Sequence, residues 1–173
     1  RLGSRGGILI PILMCAFALG GTTFGMAEET IAFYPLLLPV MIAAGYDTVT
    51  AVSVILLGAG AGVLGSTVNP FATGIAAGFA GTGMGQGIGL RLLILLLGLA
   101  MAIGYVLYYG QRVKNDPGRS LVLAQREENL RHFALKNQTE TKLTGTQKLA
   151  LWLFGGTFLV MIYGVITFQE MGL

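Results

Sequence analysis

Charged residues are scarce in this sequence. Asp, Glu, Lys and Arg make up 11% of the 173 residues, whereas 54% are hydrophobic. A soluble domain carries about 25% charged residues, so this composition excludes an ordinary soluble globular protein. The mean hydropathy of +0.73 agrees. We therefore predict an integral membrane protein.

Cysteine and histidine are almost absent. Cys15 is the only cysteine and His132 the only histidine. One cysteine forms neither a disulfide within the chain nor a cysteine-based metal site, and His132 has no second histidine at a ligand spacing. The glycines of GAGVLG, residues 60–65, match a dinucleotide-binding pattern, but no strand precedes them and close helix packing explains them better. We expect no organic cofactor.

Five apolar segments are present, at residues 8–19, 31–45, 49–80, 90–109 and 149–168. Their helix-length runs of Leu, Ile, Ala and Gly are typical of membrane helices and not of ten-residue barrel strands. The start of the chain imitates a signal peptide, but four more apolar segments follow and no initiating methionine is present. We expect an all-α, polytopic membrane protein that is part of a longer polypeptide.

Basic residues are concentrated in one segment. Eight of the eleven Lys and Arg lie between residues 112 and 148, whereas residues 6–111 contain only Arg91. Acidic residues are interspersed with them, so nucleic acid is not expected as a partner. The positive-inside rule instead predicts that residues 111–148 form a cytoplasmic loop. Asp116 and Pro117 favour the start of an amphipathic helix on the membrane surface within it.

The first two apolar segments are short. Residues 8–19 and 31–45 would form helices of about 18 and 22 Å, less than the roughly 30 Å of hydrocarbon. We predict that residues 8–45 form a re-entrant helical hairpin whose tip stops near the middle of the membrane. Two tilted full spans joined by an external loop are the alternative.

The predicted tip carries two adjacent carboxylates, Glu28 and Glu29. A carboxylate at membrane depth is costly and indicates a functional site. One of the two could face a cavity while the other caps the second arm. The alternative is that the tip lies at the water interface and both are solvated.

The third segment, residues 49–80, is too long for one span and contains GSTVNPF at residues 65–71. Pro70 lacks an N–H and biases Asn69 away from the helical region, so we predict a discontinuous helix with halves at 48–64 and 71–81. Backbone groups freed in lipid cost several kcal/mol each, so the break is expected to line a cavity or bind a solute. Free N–H groups suit an anion and free carbonyls suit a cation such as Na⁺.

The stretches GGTTFGMAEETIAFYPLLLPVMIAAGYD and GAGAGVLGSTVNPFATGIAAGFAG resemble one inverted repeat of the ion transporter superfamily. The closer resemblance is to YfcC-type members of the C4-dicarboxylate anaerobic carrier family. It implies a homodimeric secondary transporter of the bacterial inner membrane that moves a carboxylate or an amino acid by an elevator movement. Transport would be coupled to Na⁺ or H⁺, or would be an exchange. Residues 149–173 would then be the first span of a second repeat that this chain otherwise lacks.

By matching position, the resemblance implies half of a substrate site. Its residues would be Gly21, Thr22, Thr23, Gly25, Glu28 and Glu29 at the tip, and Gly65, Ser66, Thr67, Asn69 and Pro70 at the break. A Na⁺ site could lie at Ser66, Thr67 and Asn69, and local capping by these side chains is compatible with it.

Dicarboxylate relatives usually read Ser-Asn-Thr at the tip, whereas this chain reads GTTFGMAEET. A cationic or zwitterionic amino acid is therefore an alternative substrate. Membrane lipid and a second copy of the chain are the other expected partners. Two other functions are alternatives: an intramembrane enzyme with Glu28 or Glu29 as the base, and a channel. The sequence shows no nucleophile paired with a base, which argues against the enzyme.

Overall fold

The computed structural model describes residues 6–133, 144–146, 148–150, 152–153, 155–157 and 160. It divides into two compact units, residues 1–135 and 136–173. In the second unit the described residues from 145 to 160 are helical. Most of the predicted span at 149–168 lies outside the described residues.

The described part of the first unit contains six α-helices and no strand, which confirms the all-α class. The helices are α1 (Gly6–Phe24), α2 (Tyr34–Ala43), α3 (Thr48–Leu64), α4 (Ile75–Ala80), α5 (Ile88–Asn115) and α6 (Arg126–Phe133). A 3₁₀ helix, Glu28–Phe33, leads into α2, and a π-helical turn, Pro70–Gly74, leads into α4.

Two of the described helices are long and apolar enough to cross a membrane by length and composition: Gly7–Phe24 of α1 and the whole of α5. The predicted end of the first arm at residue 19 is wrong, because α1 continues through GGTTF to Phe24. Thr23 supports this last turn by donating its hydroxyl to the Leu19 carbonyl at 2.6 Å. Length alone therefore does not distinguish a re-entrant arm from a full span.

Small residues bring α1 and α3 into close, parallel contact. A Cβ atom added at Gly58 would lie 3.0 Å from the Met14 Cα, and one at Gly62 would overlap the Ala18 carbonyl. A Cβ at Gly21 would overlap the Ala59 carbonyl in the same way. Residue numbers rise together along this contact, so the two helices run in the same direction and their C-terminal ends meet. Backbones approach this closely only where side chains are absent.

Helix α5 runs antiparallel to α3. Gly65, at the end of α3, packs against Leu95, whereas the methyl group of Thr50, near its start, lies 3.1 Å from the Cβ position of Gly110. The fully buried side chains of the core lie on α1, α2, α3 and α5 and include Ile10, Met14, Met41, Val54, Ile55 and Val106. This packing fixes the ends of α1 and α3 relative to the N-terminal third of α5.

The second arm of the predicted hairpin, formed by the 3₁₀ helix and α2, packs on α1 through aromatic rings. The rings of Phe17 and Phe33 meet edge to face with centroids 5.3 Å apart, a favourable arrangement for an aromatic pair. The chain then follows α2 back to Asp47, which caps the start of α3. The arms therefore run in opposite directions as a helical hairpin, with the tip beside the end of α3.

The amphipathic helix predicted to start at Asp116 and Pro117 begins later in the chain, at Arg126. Asp116 accepts a hydrogen bond from the Gly118 N–H at 3.1 Å, but this starts only the single 3₁₀ turn Pro117–Arg119. The backbone of Ser120 is extended, which ends that turn, and α6 begins at Arg126. As described, α6 has eight residues, Arg126–Phe133.

We predict that Gly62→Ala destabilises the full-length protein by about 1–3 kcal/mol, because the added methyl group overlaps the Ala18 carbonyl. Gly60→Ala in the same helix is the matched control, since no atom lies within 4 Å of its Cβ position. It should be neutral or stabilising by about 0.5–1 kcal/mol. Thermal unfolding in detergent measures both, and equal melting temperatures for the two variants would contradict the packing described.

Candidate functional site

The break in the third segment extends from Gly65 to Asn69. Helix α3 ends at Leu64, and the chain becomes helical again at Pro70. Asn69 has ψ of 117°, outside the helical region, as expected for a residue before proline. The two helical pieces, 48–64 and 70–80, closely match the halves predicted from the sequence.

Thr22 supplies partners for the backbone groups that the break leaves without helical bonds. Its hydroxyl donates to the Gly65 carbonyl at 2.9 Å and accepts from the Thr67 N–H at 3.0 Å. Its carbonyl accepts from the N–H groups of Thr67 and Val68 at 3.2 and 3.4 Å. Thr22 is only 3% exposed. The end of α1 is therefore hydrogen-bonded directly into the break.

Asn69 caps the helix that follows the break. Its Oδ1 accepts from the N–H groups of Phe71 and Ala72 at 2.9 and 3.2 Å, and the residue is 1% exposed. Within the described residues its Nδ2 donates no hydrogen bond. Gly25 packs against this side chain: a Cβ atom added at Gly25 would lie 2.5 Å from Nδ2, and φ at Gly25 is +72°. Both the conformation and the space therefore require glycine at the tip.

Ser66 pairs with a residue that the sequence pattern did not single out. Its hydroxyl lies 2.7 Å from that of Thr73, and Thr73 also donates to the Ser66 carbonyl at 3.2 Å. Both residues are more than nine-tenths buried. A polar residue one helical turn after Asn69 in an otherwise apolar half-helix was the available signal for Thr73.

Glu28 and Glu29 lie at the tip but do not enter the break. Both are exposed and occupy the first turn of the 3₁₀ helix. Glu29 accepts a hydrogen bond from the Ala27 N–H at 3.2 Å. Glu28 has no hydrogen bond or ion pair within the described part of the chain. Neither carboxylate faces an enclosed cavity here.

The structure therefore brings some of the predicted site residues together where the tip meets the break, and places the others outside this contact. Joined at the contact between tip and break are Thr22, Gly25, Gly65, Ser66, Thr67 and Asn69. Gly21 serves the contact between α1 and α3, Pro70 begins the second half-helix, and Thr23 bonds within its own helix. Among the described residues no group of three His, Cys, Asp or Glu could hold a metal ion.

An open groove leads from this contact along α4. Ser66, Thr73 and Arg91, which lies near the start of α5, are among the residues that line it. The Arg91 guanidinium donates to the carbonyl groups of Met84 and Gln86 in the turn between α4 and α5. The arginine therefore has a structural role in closing that turn.

Comparisons with known proteins identify similar sequences. A family model described as C4-dicarboxylate anaerobic carrier matches residues 1–172. An uncharacterized protein of Haemophilus influenzae is 43% identical over 160 residues, which cover 91% of this chain and 31% of that protein. A protein of Escherichia coli K12 named "Putative basic amino acid antiporter YfcC" is 32% identical over 161 residues, 92% of this chain and 31% of that protein.

The chain thus spans about a third of the length of these relatives. No solved structure matches it.

We predict that Thr22→Val destabilises the full-length protein by about 1–3 kcal/mol, because it leaves the buried Gly65 carbonyl without its hydrogen-bond donor. Thr23→Val is the matched control: among the described residues its hydroxyl bonds only to the Leu19 carbonyl of α1, so we expect a change within about 0.5 kcal/mol. Thermal unfolding of both variants in detergent is the measurement. The assignment fails if Thr23→Val is the more damaging change.

Proposed function

The chain belongs to the C4-dicarboxylate anaerobic carrier family, and we propose that the protein is a secondary transporter in which the tip and the break form half of the substrate site. The observation that supports this most directly is the set of hydrogen bonds from Thr22 to Gly65 and Thr67. These hydrogen bonds join the end of α1 to the break after α3, and both segments carry polar side chains at this contact. The family is one of carriers, which supports a transporter over an intramembrane enzyme or a channel.

Helix α5 provides a scale for the depth of this contact. Gly65 packs against Leu95, about 10 Å along α5 from Ile88 and about 21 Å from Tyr109 at 1.5 Å per residue. If the apolar part of α5 crosses roughly 30 Å of hydrocarbon, the break lies inside the membrane. Because α1 ends at the level of the break, it stops short of the outer end of α5. This supports a re-entrant hairpin and a discontinuous membrane helix.

The polarity of the contact favours a cation. Two helix C-termini, those of α1 and α3, meet there and each carries a partial negative charge, whereas the one N-terminus, at Pro70, is capped by the Asn69 side chain. The side-chain oxygens of Ser66, Thr67 and Asn69 lie beside these ends, so we propose that a Na⁺ ion or a proton-coupled group acts here. No organic cofactor is part of the proposal.

The tip adds two full negative charges, Glu28 and Glu29, beside the same contact. A dicarboxylate would be repelled by them, whereas the side chain of a basic amino acid would be attracted. The name of the Escherichia coli relative, which refers to a basic amino acid antiporter, agrees with this choice. We therefore propose a basic amino acid as the substrate and exchange as the transport mode. Glu28, which has no partner among the described residues, is the better candidate to contact it.

The remaining features of the proposal come from the family resemblance. The protein would be a homodimer in the bacterial inner membrane, surrounded by lipid, with residues 111–148 on the cytoplasmic side. A second repeat, beginning at residues 149–173, would supply the other half of the site. The glycine contacts that join α1, α3 and α5 support an elevator movement, because they would let these helices move as one body.

We predict that Glu28→Gln raises the KM of the full-length protein for arginine or lysine by about tenfold to a hundredfold. This corresponds to about 1.5–3 kcal/mol, the typical value of a hydrogen bond to a charged group. Uptake by reconstituted vesicles measures it, and Glu127→Gln, another exposed carboxylate, is the control. Unchanged arginine and lysine transport in both Glu28→Gln and Glu29→Gln would contradict the role of the tip carboxylates.

A further inference from the structure

Asp47 is the one carboxylate in the described residues that is not exposed. It caps α3, and its Oδ1 accepts from the N–H and the hydroxyl of Thr50 at 2.8 and 2.6 Å. Its Oδ2 accepts from the hydroxyls of Tyr109 and Ser120 at 2.7 and 2.6 Å. Three parts of the chain therefore converge on this carboxylate: the start of α3, the end of α5 and the segment after α5.

These four donors are all neutral. Among the described residues, Asp47 forms no ion pair with a Lys or Arg. The ion pair found there joins Arg119 to Asp116. Burial raises the pKa of the Asp47 carboxyl, but the hydrogen bonds from Ser120, Thr50 and Tyr109 outweigh that effect and hold the pKa below its usual value. The carboxylate is therefore charged at neutral pH, and pH changes near neutrality would not release its partners.

The segment after α5 is held by two further bonds. We call residues 116–130 the connector. The Leu121 N–H donates to the Tyr109 hydroxyl at 3.2 Å, and the Asn129 amide donates to the Thr48 hydroxyl at 3.4 Å. Between these points the connector covers a cavity of about 70 Å³ lined by Tyr46, Val113, Pro117 and Leu130 among others. The connector thus lies across the turn between α2 and α3.

We propose that Asp47 fastens the connector to the body formed by α1, α2, α3 and α5, so that residues 116–130 move with this body during transport. This proposal rests on the elevator movement proposed above. If the connector instead stayed with a stationary scaffold, each transport cycle would break two hydrogen bonds: from Ser120 to Asp47 and from Asn129 to Thr48. Losing the Ser120 donor would be unfavourable because the Asp47 carboxylate is half-buried and has no ionic partner among the described residues.

Distances between spin labels in the full-length protein test the proposal. In a Cys15→Ser background, one pair of labels would be placed at Leu64→Cys in α3 and Leu121→Cys in the connector, both exposed positions. A second pair would join Leu64→Cys to Trp152→Cys. Distances would be measured with and without Na⁺ and arginine. We expect the Leu64–Leu121 distance to remain the same and the Leu64–Trp152 distance to shift.

The two hypotheses fail in different ways. A shift in both distances would overturn the fastened connector while leaving the elevator movement intact. No shift in either distance would overturn the movement itself, and the inference with it.

Variants of the carboxylate and its donor add a second readout. Asp47→Asn and Ser120→Ala should each broaden the Leu64–Leu121 distance distribution, because the bond from Ser120 to the charged carboxylate is lost. Glu127→Gln, an exposed carboxylate in the same connector, is the control and should leave it narrow. Ser120→Ala removes only one hydroxyl, so it remains informative if Asp47→Asn does not fold. Distributions as narrow as in the control for both variants would contradict the role of Asp47.

Discussion

A helix that breaks inside an apolar bundle must find partners for the backbone groups it frees. Here α3 ends at Leu64, and the Gly65 carbonyl and the Thr67 N–H both turn to Thr22 on a different helix. Buried backbone groups without partners cost about 1–3 kcal/mol each, and more in lipid, so the break persists only because α1 ends beside it. The other contacts of the bundle follow from this requirement. The hydroxyl of Thr22 can reach the break only if α1 runs parallel to α3 at very short distance, which Gly21, Gly58 and Gly62 allow.

The same geometry gives the contact its electrostatic character. Two parallel helices that end together place two sets of terminal carbonyls in one region, and the tip adds Glu28 and Glu29. Arg91 lines the groove that leads from this contact, but its guanidinium is hydrogen-bonded to the turn between α4 and α5. A positively charged solute or a coupling ion is what such a region attracts most strongly. This links the hydrogen bonds of Thr22 to the proposed transport of a basic amino acid.

The sequence predicts helical halves at 48–64 and 71–81, and the structure has helical pieces at 48–64 and 70–80, because Gly65 ends one helix and Pro70 begins the next by local backbone chemistry. That these pieces form a discontinuous membrane helix stays a prediction. The end of α1 was predicted wrongly for a physical reason. A run of Gly and Thr normally favours a loop, but here the glycine provides the close approach to α3, and tertiary packing overrides local propensity. The partners of the site residues were not predictable, since Thr22 and Gly65 are 43 residues apart. Asp47 carried a readable signal, an acidic residue directly before an apolar helix, but its bonds to Tyr109 and Ser120 depend on the folded bundle.

The contact between Thr22 and Thr67 tests the account most directly. Their hydroxyl oxygens lie 3.1 Å apart, so cysteines at these two positions are close enough for a disulfide once the side chains adjust. The measurement is oxidative cross-linking of Thr22→Cys with Thr67→Cys in the full-length protein, in a Cys15→Ser background and in native membranes. The account predicts rapid formation of an intramolecular disulfide, seen as protection of both cysteines from alkylation in the denatured protein that is lost on reduction. Full alkylation of both cysteines after oxidation would show that the tip and the break do not meet, and would contradict the proposed site.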